Sequence, residues 1–266
     1  MARPTRTTTE QLRGGMRAAA LMQELAKRVG AVNPHQFARR FDEHTGMDTQ
    51  ASGKWRLNFS GDRPLSPQQL QLLSRLDGDV ACLHDDGPAD LWRALWGDVH
   101  ELWPLCRSRF CGVGPMLDDR TWSEIEGEFG DEKTFDSALR EFEGELLLAD
   151  AYCEPLTLRH LTEAIALYRV HQHMNSIAPS AVDGVGLYRC VFMCMNDVAV
   201  RNELSKLGIC ELLAGELASM ELDRLEHQRS YRAAVAVNDF AGYVSNPRAF
   251  FSDDSRLEAL GFAWEN

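Results

Sequence analysis

Residues 33–70 have the sequence NPHQFARRFDEHTGMDTQASGKWRLNFSGDRPLSPQQL. Two helix starts are visible in it, Asn33 before Pro34 and Ser66 before Pro67. Each pairs a capping residue with a proline at the first helical position, where the missing N–H costs nothing. Apolar residues between the two starts recur at one-turn spacing, which is typical of helices that bury one face. The stretch therefore predicts a bundle of short helices.

A longer helix is predicted just before this stretch, from the capping box of Thr7 and Glu10 to about Val29. Leu21 and Leu25 fall one turn apart and would give this helix a buried stripe.

Two further helices are predicted within the stretch, from Pro34 to near Gly46 and from Thr49 onward. Gly53 would interrupt the second of them, at a cost of about 1 kcal/mol relative to alanine. The stripe that packs this helix on the preceding two is expected to consist of Ala51, Trp55 and Phe59. Its outward side then carries Gln50, Gly53, Lys54, Arg56 and Leu57.

Charge is divided unevenly along the chain. Residues 1–75 hold 12 Lys and Arg against 6 Asp and Glu, a net charge of +6, in a chain whose total is −12. The remainder therefore carries −18. A basic segment on an acidic body predicts one end that faces a polyanion, because the body itself would repel phosphates.

The rest of the chain predicts more helices, and thus an all-α fold. Alternating β-branched residues are nearly absent, so no sheet is expected. Residues 78–88 are polar and turn-rich, which places a boundary between a helix-turn-helix-like basic domain at 1–80 and an acidic helical domain at 88–266. One helix is expected to carry Trp92, Trp96 and Trp103. Other helices are predicted near 132–151, 156–176, 184–206, 208–240 and 255–261, with a capping box at 121–124.

Three pieces of residues 36–76 resemble the phage-repressor-like (Xre/Cro-type) helix-turn-helix family of DNA-binding proteins. They are QFARRF at 36–41, GKW at 53–55 and SGDRPLSPQQL at 60–70. In that family one helix braces a second, a tryptophan near the end of the second anchors it to the core, and a Gly-x-Arg-x-Pro-Ser turn starts the next helix. The likeness covers about a sixth of the chain.

The resemblance implies a sequence-specific, repressor-like transcriptional regulator of a mobile element. Gln50, Lys54 and Arg56 would read base edges, because glutamine can pair bidentately with adenine and Arg or Lys with guanine. Phosphates supply affinity without sequence information. Three arginines beside the reading helix are expected to hold them: Arg39, Arg40 and Arg63.

The expected partner is double-stranded DNA, with a homodimer or a protein partner joined through the C-terminal domain. No stretch approaches about 18 uncharged apolar residues, and the N-terminus lacks the apolar block of a secretory signal. We therefore expect a bacterial protein of the cytoplasm that does not enter a membrane.

Two other function classes stay open. One is a helical protein-interaction module of a defence or toxin–antitoxin system that does not read DNA. The other is a helical enzyme or metal protein using cysteines and histidines of residues 160–210. The seven cysteines lack close zinc-type pairs, and His171 and His173 would diverge by about 200° on a helix. We predict no catalytic residue, no metal site and no cofactor.

Overall fold

The computed structural model describes residues 7–109, 135–177 and 185–236, and every regular element in those ranges is helical. The predicted all-α class is confirmed. None of the helices in these ranges is long and apolar enough to cross a membrane. The α-helices, numbered in chain order, are α1 (Thr8–Arg28), α2 (Pro34–Thr45), α3 (Arg56–Phe59), α4 (Pro67–Leu73), α5 (Val80–Asp85), α6 (Leu91–Trp96), α7 (Phe135–Tyr152), α8 (Leu158–Ile177), α9 (Val185–Asn196), α10 (Val198–Lys206) and α11 (Cys210–Ala236).

The chain divides into two compact units. The first comprises Met1–His171 and Gly184–Leu212, and the second comprises Gln172–Asp183 and Leu213–Asn266. The predicted domain boundary lies inside the first unit, so independent folding of residues 1–80 stays a prediction. The helix predicted at 255–261 and the capping box at 121–124 lie outside the described residues.

The predicted helix starts at Thr7, Asn33 and Ser66 are confirmed. Thr7 accepts a hydrogen bond from the Glu10 amide at 3.2 Å, and the Glu10 carboxylate accepts one from the Thr7 amide at 2.8 Å. Ser66 and Gln69 form the same reciprocal pair at the start of α4. The Asn33 side chain caps α2. These bonds satisfy amides that have no partner within the helix.

An aromatic cluster forms the centre of the core shared by α1 to α5. Trp55 is 1% exposed, and its ring meets those of Phe37 and Phe41 edge-on at 6.1 and 5.2 Å. Val80 of α5 belongs to the same core. The turn-rich segment at the predicted boundary therefore contains a helix that completes the N-terminal bundle.

The prediction of a helix from Thr49 is wrong. Residues 50–55 form consecutive turns, and α3 contains only Arg56–Phe59. Gly53 has φ +58°, a left-handed conformation that a right-handed helix cannot include. Trp55 is buried as predicted, whereas Ala51 is exposed.

Asp42, near the end of α2, organises the connection that replaces the predicted helix. Its carboxylate accepts hydrogen bonds from the Thr49 amide at 2.8 Å, the Thr49 hydroxyl at 2.7 Å and the Gln50 amide at 2.8 Å. The Trp55 indole N–H donates to the Thr49 hydroxyl at 3.0 Å. The polar groups of the connection are thus satisfied without helical bonds.

Two predicted helices further along the chain are interrupted. Trp92 and Trp96 lie in α6, but Trp103 lies in a separate 3₁₀ turn, because the backbone is already extended at Gly97. The helix predicted over 184–206 is broken at Asp197, whose carboxylate instead caps α10.

Replacing Trp55 with alanine should destabilise the N-terminal bundle by about 3–5 kcal/mol, because a buried aromatic ring is removed from a packed core. Melting followed by near-ultraviolet circular dichroism measures this loss. Leu57→Ala is the matched control, since Leu57 is 43% exposed on the adjacent helix and should cost about 0.5 kcal/mol or less. Equal melting temperatures for Trp55→Ala and the wild type would contradict the packing.

Asp42→Asn should lower stability in a pH-dependent way. Burial favours the neutral carboxyl, but the hydrogen bonds from Thr49 and Gln50 outweigh it and hold the pKa of Asp42 below its usual value. The unfolded chain therefore binds more protons in acid, so this contribution is present at neutral pH and is lost as the pH falls through the folded pKa.

Urea unfolding measured from neutral to acidic pH should show the wild type more stable than Asp42→Asn at pH about 7, with the difference shrinking below pH about 4. Asp48→Asn, an exposed carboxylate of the same connection, is the control. A difference that stays constant with pH would show that the carboxylate charge is not responsible.

Candidate nucleic-acid interface

An open cleft of about 450 Å³ lies beside the start of α4. Two basic side chains, Lys54 and Arg63, line it, and none of the residues that line it is acidic. Its remaining lining is Ser52, Ser66, Gln68, Gln69 and Leu72. Cationic, hydroxyl and amide groups facing one open volume are suited to an anion with several acceptor oxygens, such as a phosphodiester.

Lys54 is positioned by the turn that replaces the predicted helix. Gly53 adopts its left-handed conformation immediately before Lys54, and Trp55 immediately after it is anchored in the core. The Lys54 ammonium lies 5.5 Å from the centroid of the Trp55 ring. At this distance the ring attracts the ammonium group through a cation–π interaction, although the Lys54 side chain is exposed.

Arg63 is positioned through its backbone. The Arg63 amide donates to the Leu57 carbonyl at 3.0 Å, and the Asn58 side chain donates to the Arg63 carbonyl at 2.9 Å. Asn58 is fully buried and also accepts a bond from the Gln69 side chain at 3.0 Å. One buried amide therefore joins the Arg63 turn to α4 and sets the distance between them.

The turn that contains Arg63 also packs directly on α1. A Cβ atom on Gly15 would lie 2.2 Å from the Gly61 carbonyl oxygen, so only glycine permits this approach. A Cβ atom on Gly14 would lie 2.9 Å from the Pro64 side chain. Gly14 and Gly15 therefore allow the turn that contains Arg63 to pack closely on α1.

Most other basic side chains of the described N-terminal part are paired with carboxylates. Arg28 lies 2.6 Å from Asp77, while Arg39 and Arg40 lie 3.7 and 3.2 Å from Glu43. Among the described residues, four cations between positions 54 and 75 form no ion pair: Lys54, Arg56, Arg63 and Arg75. Two of these four cations, Lys54 and Arg63, lie in the cleft, so the charge of the cleft is not neutralised by an ion pair.

The structure brings together two of the six residues predicted to contact DNA, Lys54 and Arg63. Gln50 is instead half-buried, with its side-chain nitrogen 2.8 Å from a ring nitrogen of His35 on α2. Arg56 is exposed on α3 but does not line the cleft. Arg39 and Arg40 are exposed on α2, beside their shared carboxylate.

The sequence did not single out the polar residues of the cleft or its supports. The Ser66 and Gln69 pair was recognisable as a helix cap, but its position opposite Lys54 depends on packing between segments. No sequence pattern pointed to a role for Asn58. Nothing in the neighbouring residues indicated that its amide would be buried between the Arg63 turn and Gln69. The Gly14 and Gly15 pair was the one available hint of close backbone approach.

In the part of the chain that the structure describes, the cysteines and histidines of positions 160–210 form no comparable site. Burial raises the pKa of the Cys190 thiol to about 12 and also raises that of Cys194, so both are neutral at ordinary pH. His160 accepts a hydrogen bond from the Thr157 amide at 3.0 Å, next to the start of α8. Within the described ranges, no three His, Cys, Asp or Glu side chains could hold a metal ion together.

No protein-family model, curated protein or solved structure matches the chain significantly. The assignment of function therefore depends on the cleft and on the charges around it.

Proposed function

We propose that the chain is a DNA-binding transcriptional regulator of repressor type, acting in the cytoplasm, and that the cleft holds the backbone of double-stranded DNA. The observation that carries the proposal is the convergence of Lys54 and Arg63 on one open cleft with no carboxylate in its lining. Cations that replace condensed counterions supply most of the affinity of such complexes. The Ser66 hydroxyl, which lines the same cleft, offers a hydrogen bond of the kind that fixes a phosphate in position.

The distribution of charge supports the same function. Residues 1–75 carry a net charge of +6, whereas the rest of the chain carries −18. This asymmetry favours approach of the duplex to the N-terminal part of the chain, because the acidic remainder repels phosphates. The resemblance of residues 36–76 to Xre/Cro-type proteins points to the same class of partner.

Removing both cations of the cleft should weaken DNA binding and its dependence on salt. The full chain and its Lys54→Ala/Arg63→Ala variant would be titrated against a fluorescent duplex of about two helical turns. The slope of log K against log salt concentration should decrease in size by about one unit for each phosphate that the variant no longer neutralises.

Lys27→Ala is the control for net charge, since Lys27 is an exposed cation at the end of α1 that lies 3.7 Å from Glu24. Arg39→Ala and Arg40→Ala should have intermediate effects, because Glu43 offsets part of their charge. Binding that is flat with salt in the wild type, or an unchanged slope in the double variant, would overturn the proposal.

Self-association is a second candidate function, favoured by an exposed apolar face on α7. Leu147, Leu148 and Tyr152 are 52, 57 and 74% exposed, while Phe142 of the same helix is fully buried. Large apolar side chains grouped on a surface are typical of contact sites. We infer that α7 joins two copies of the chain, as repressors that bind paired half-sites require.

Leu148→Glu/Tyr152→Glu should convert a dimer to a monomer, because it places two charges within the apolar contact. Light scattering after size-exclusion chromatography measures the mass. Ser137→Glu, an exposed position of the same helix, is the matched control. A monomeric wild type, or a variant that remains dimeric, would overturn this candidate.

A further inference from the structure

The outward face of α4 and the turn that follows it carry three polar side chains with no described partner. Gln68, Gln71 and Arg75 are exposed, while Leu73 on the opposite side is fully buried. At about 100° per residue, Gln68 and Gln71 lie within roughly 60° of each other on the side of α4 opposite Leu73. Arg75 follows in the turn after the helix. The nearest acidic residue in sequence, Asp77, is bound to Arg28 at 2.6 Å.

The segment α3 cannot supply such a face. It has four residues, of which Asn58 and Phe59 are buried. Only Arg56 and Leu57 point outward, and one helical turn advances by about 5.4 Å. That length covers fewer than two base pairs at about 3.4 Å each.

The helix α4 and the turn that follows it have the length that reading requires. The seven residues of α4 rise by about 10 Å, which corresponds to roughly three base pairs. Glutamine amides pair with the N6 and N7 positions of adenine, and the arginine guanidinium pairs with O6 and N7 of guanine. The three side chains are therefore matched to purine edges in a major groove.

The cleft provides the backbone contacts beside this face. Gln68 and Leu72 of α4 line the cleft together with Lys54 and Arg63. Phosphates held by the two cations would lie directly beside the first residue of the outward face. Contacts to phosphates set the position of a protein on the duplex, and contacts to bases set the sequence.

We propose that α4 is the reading helix, and that Gln68 and Gln71 on it, with Arg75 in the turn that follows, contact adenine and guanine edges in the major groove. This inference rests on the proposed DNA-binding function and replaces the predicted role of Gln50, Lys54 and Arg56 in base recognition.

The test is selection of bound sequences from a random duplex library by the full chain. The selected and a shuffled duplex are then titrated with Gln68→Ala, Gln71→Ala and Arg75→Ala. Each variant should lower the ratio of affinities for the two duplexes roughly 5- to 100-fold. The two glutamine variants should leave binding to the shuffled duplex within about twofold, since they carry no charge.

Arg56→Ala is the matched control, because it removes the same charge as Arg75→Ala from an exposed position on α3. It should weaken both duplexes equally and leave the ratio unchanged. Circular dichroism confirms that each variant is folded, and the uncharged Gln68→Ala and Gln71→Ala decide the question should Arg75→Ala fail to fold.

The possible failures are distinguishable. The inference is overturned, and DNA binding is retained, if Arg56→Ala lowers the ratio of affinities for the selected and shuffled duplexes while the variants at Gln68, Gln71 and Arg75 leave it unchanged. A wild type that binds duplexes but enriches no sequence does the same. A wild type that binds no duplex overturns the proposed function as well.

Discussion

A hydrogen-bonded relay from Trp55 through Thr49 to Asp42 sustains the N-terminal bundle. The indole N–H is buried among aromatic rings and needs an acceptor, which the Thr49 hydroxyl provides at 3.0 Å. The same hydroxyl donates to Asp42 at 2.7 Å, so the carboxylate ties the buried ring to the end of α2. An unsatisfied buried donor would cost about 1–3 kcal/mol. The relay therefore stabilises a connection that has no helix to satisfy its backbone.

The cleft follows from this relay and from one buried amide. Trp55 holds the backbone that carries Lys54, while Asn58 binds the Arg63 carbonyl and the Gln69 side chain. Neither cation needs an ion pair to remain in place, because both are positioned through neighbouring groups that are buried. The backbone at both positions is therefore fixed before a ligand binds, whereas the two exposed side chains are ordered by the ligand itself.

Ion pairing determines which basic side chains remain available to a polyanion. Exposed pairs such as Arg40 with Glu43 contribute only about 0–1 kcal/mol to stability. Such pairs matter more for the surface potential, because the carboxylate of each pair neutralises the cation beside it. The segment between Lys54 and Arg75 has no such neutralisation among the described residues, although Asp62 lies within it and accepts a hydrogen bond from Ser60. The basic character of the surface is therefore local to the cleft and α4.

The sequence by itself determined the helix starts at Thr7, Asn33 and Ser66, the all-α class and the burial of Trp55. Those features depend on residues three or four positions apart, such as Thr7 with Glu10 or Ser66 with Gln69, and local spacing is visible in a chain. Tertiary structure alone decided where the third helix begins, because the turns that precede it are held by the Asp42 carboxylate, which belongs to α2. It also decided that Lys54 faces Gln68 and that Gln50 binds His35. Contacts between segments depend on how the helices pack, and neither periodicity nor capping specifies that packing.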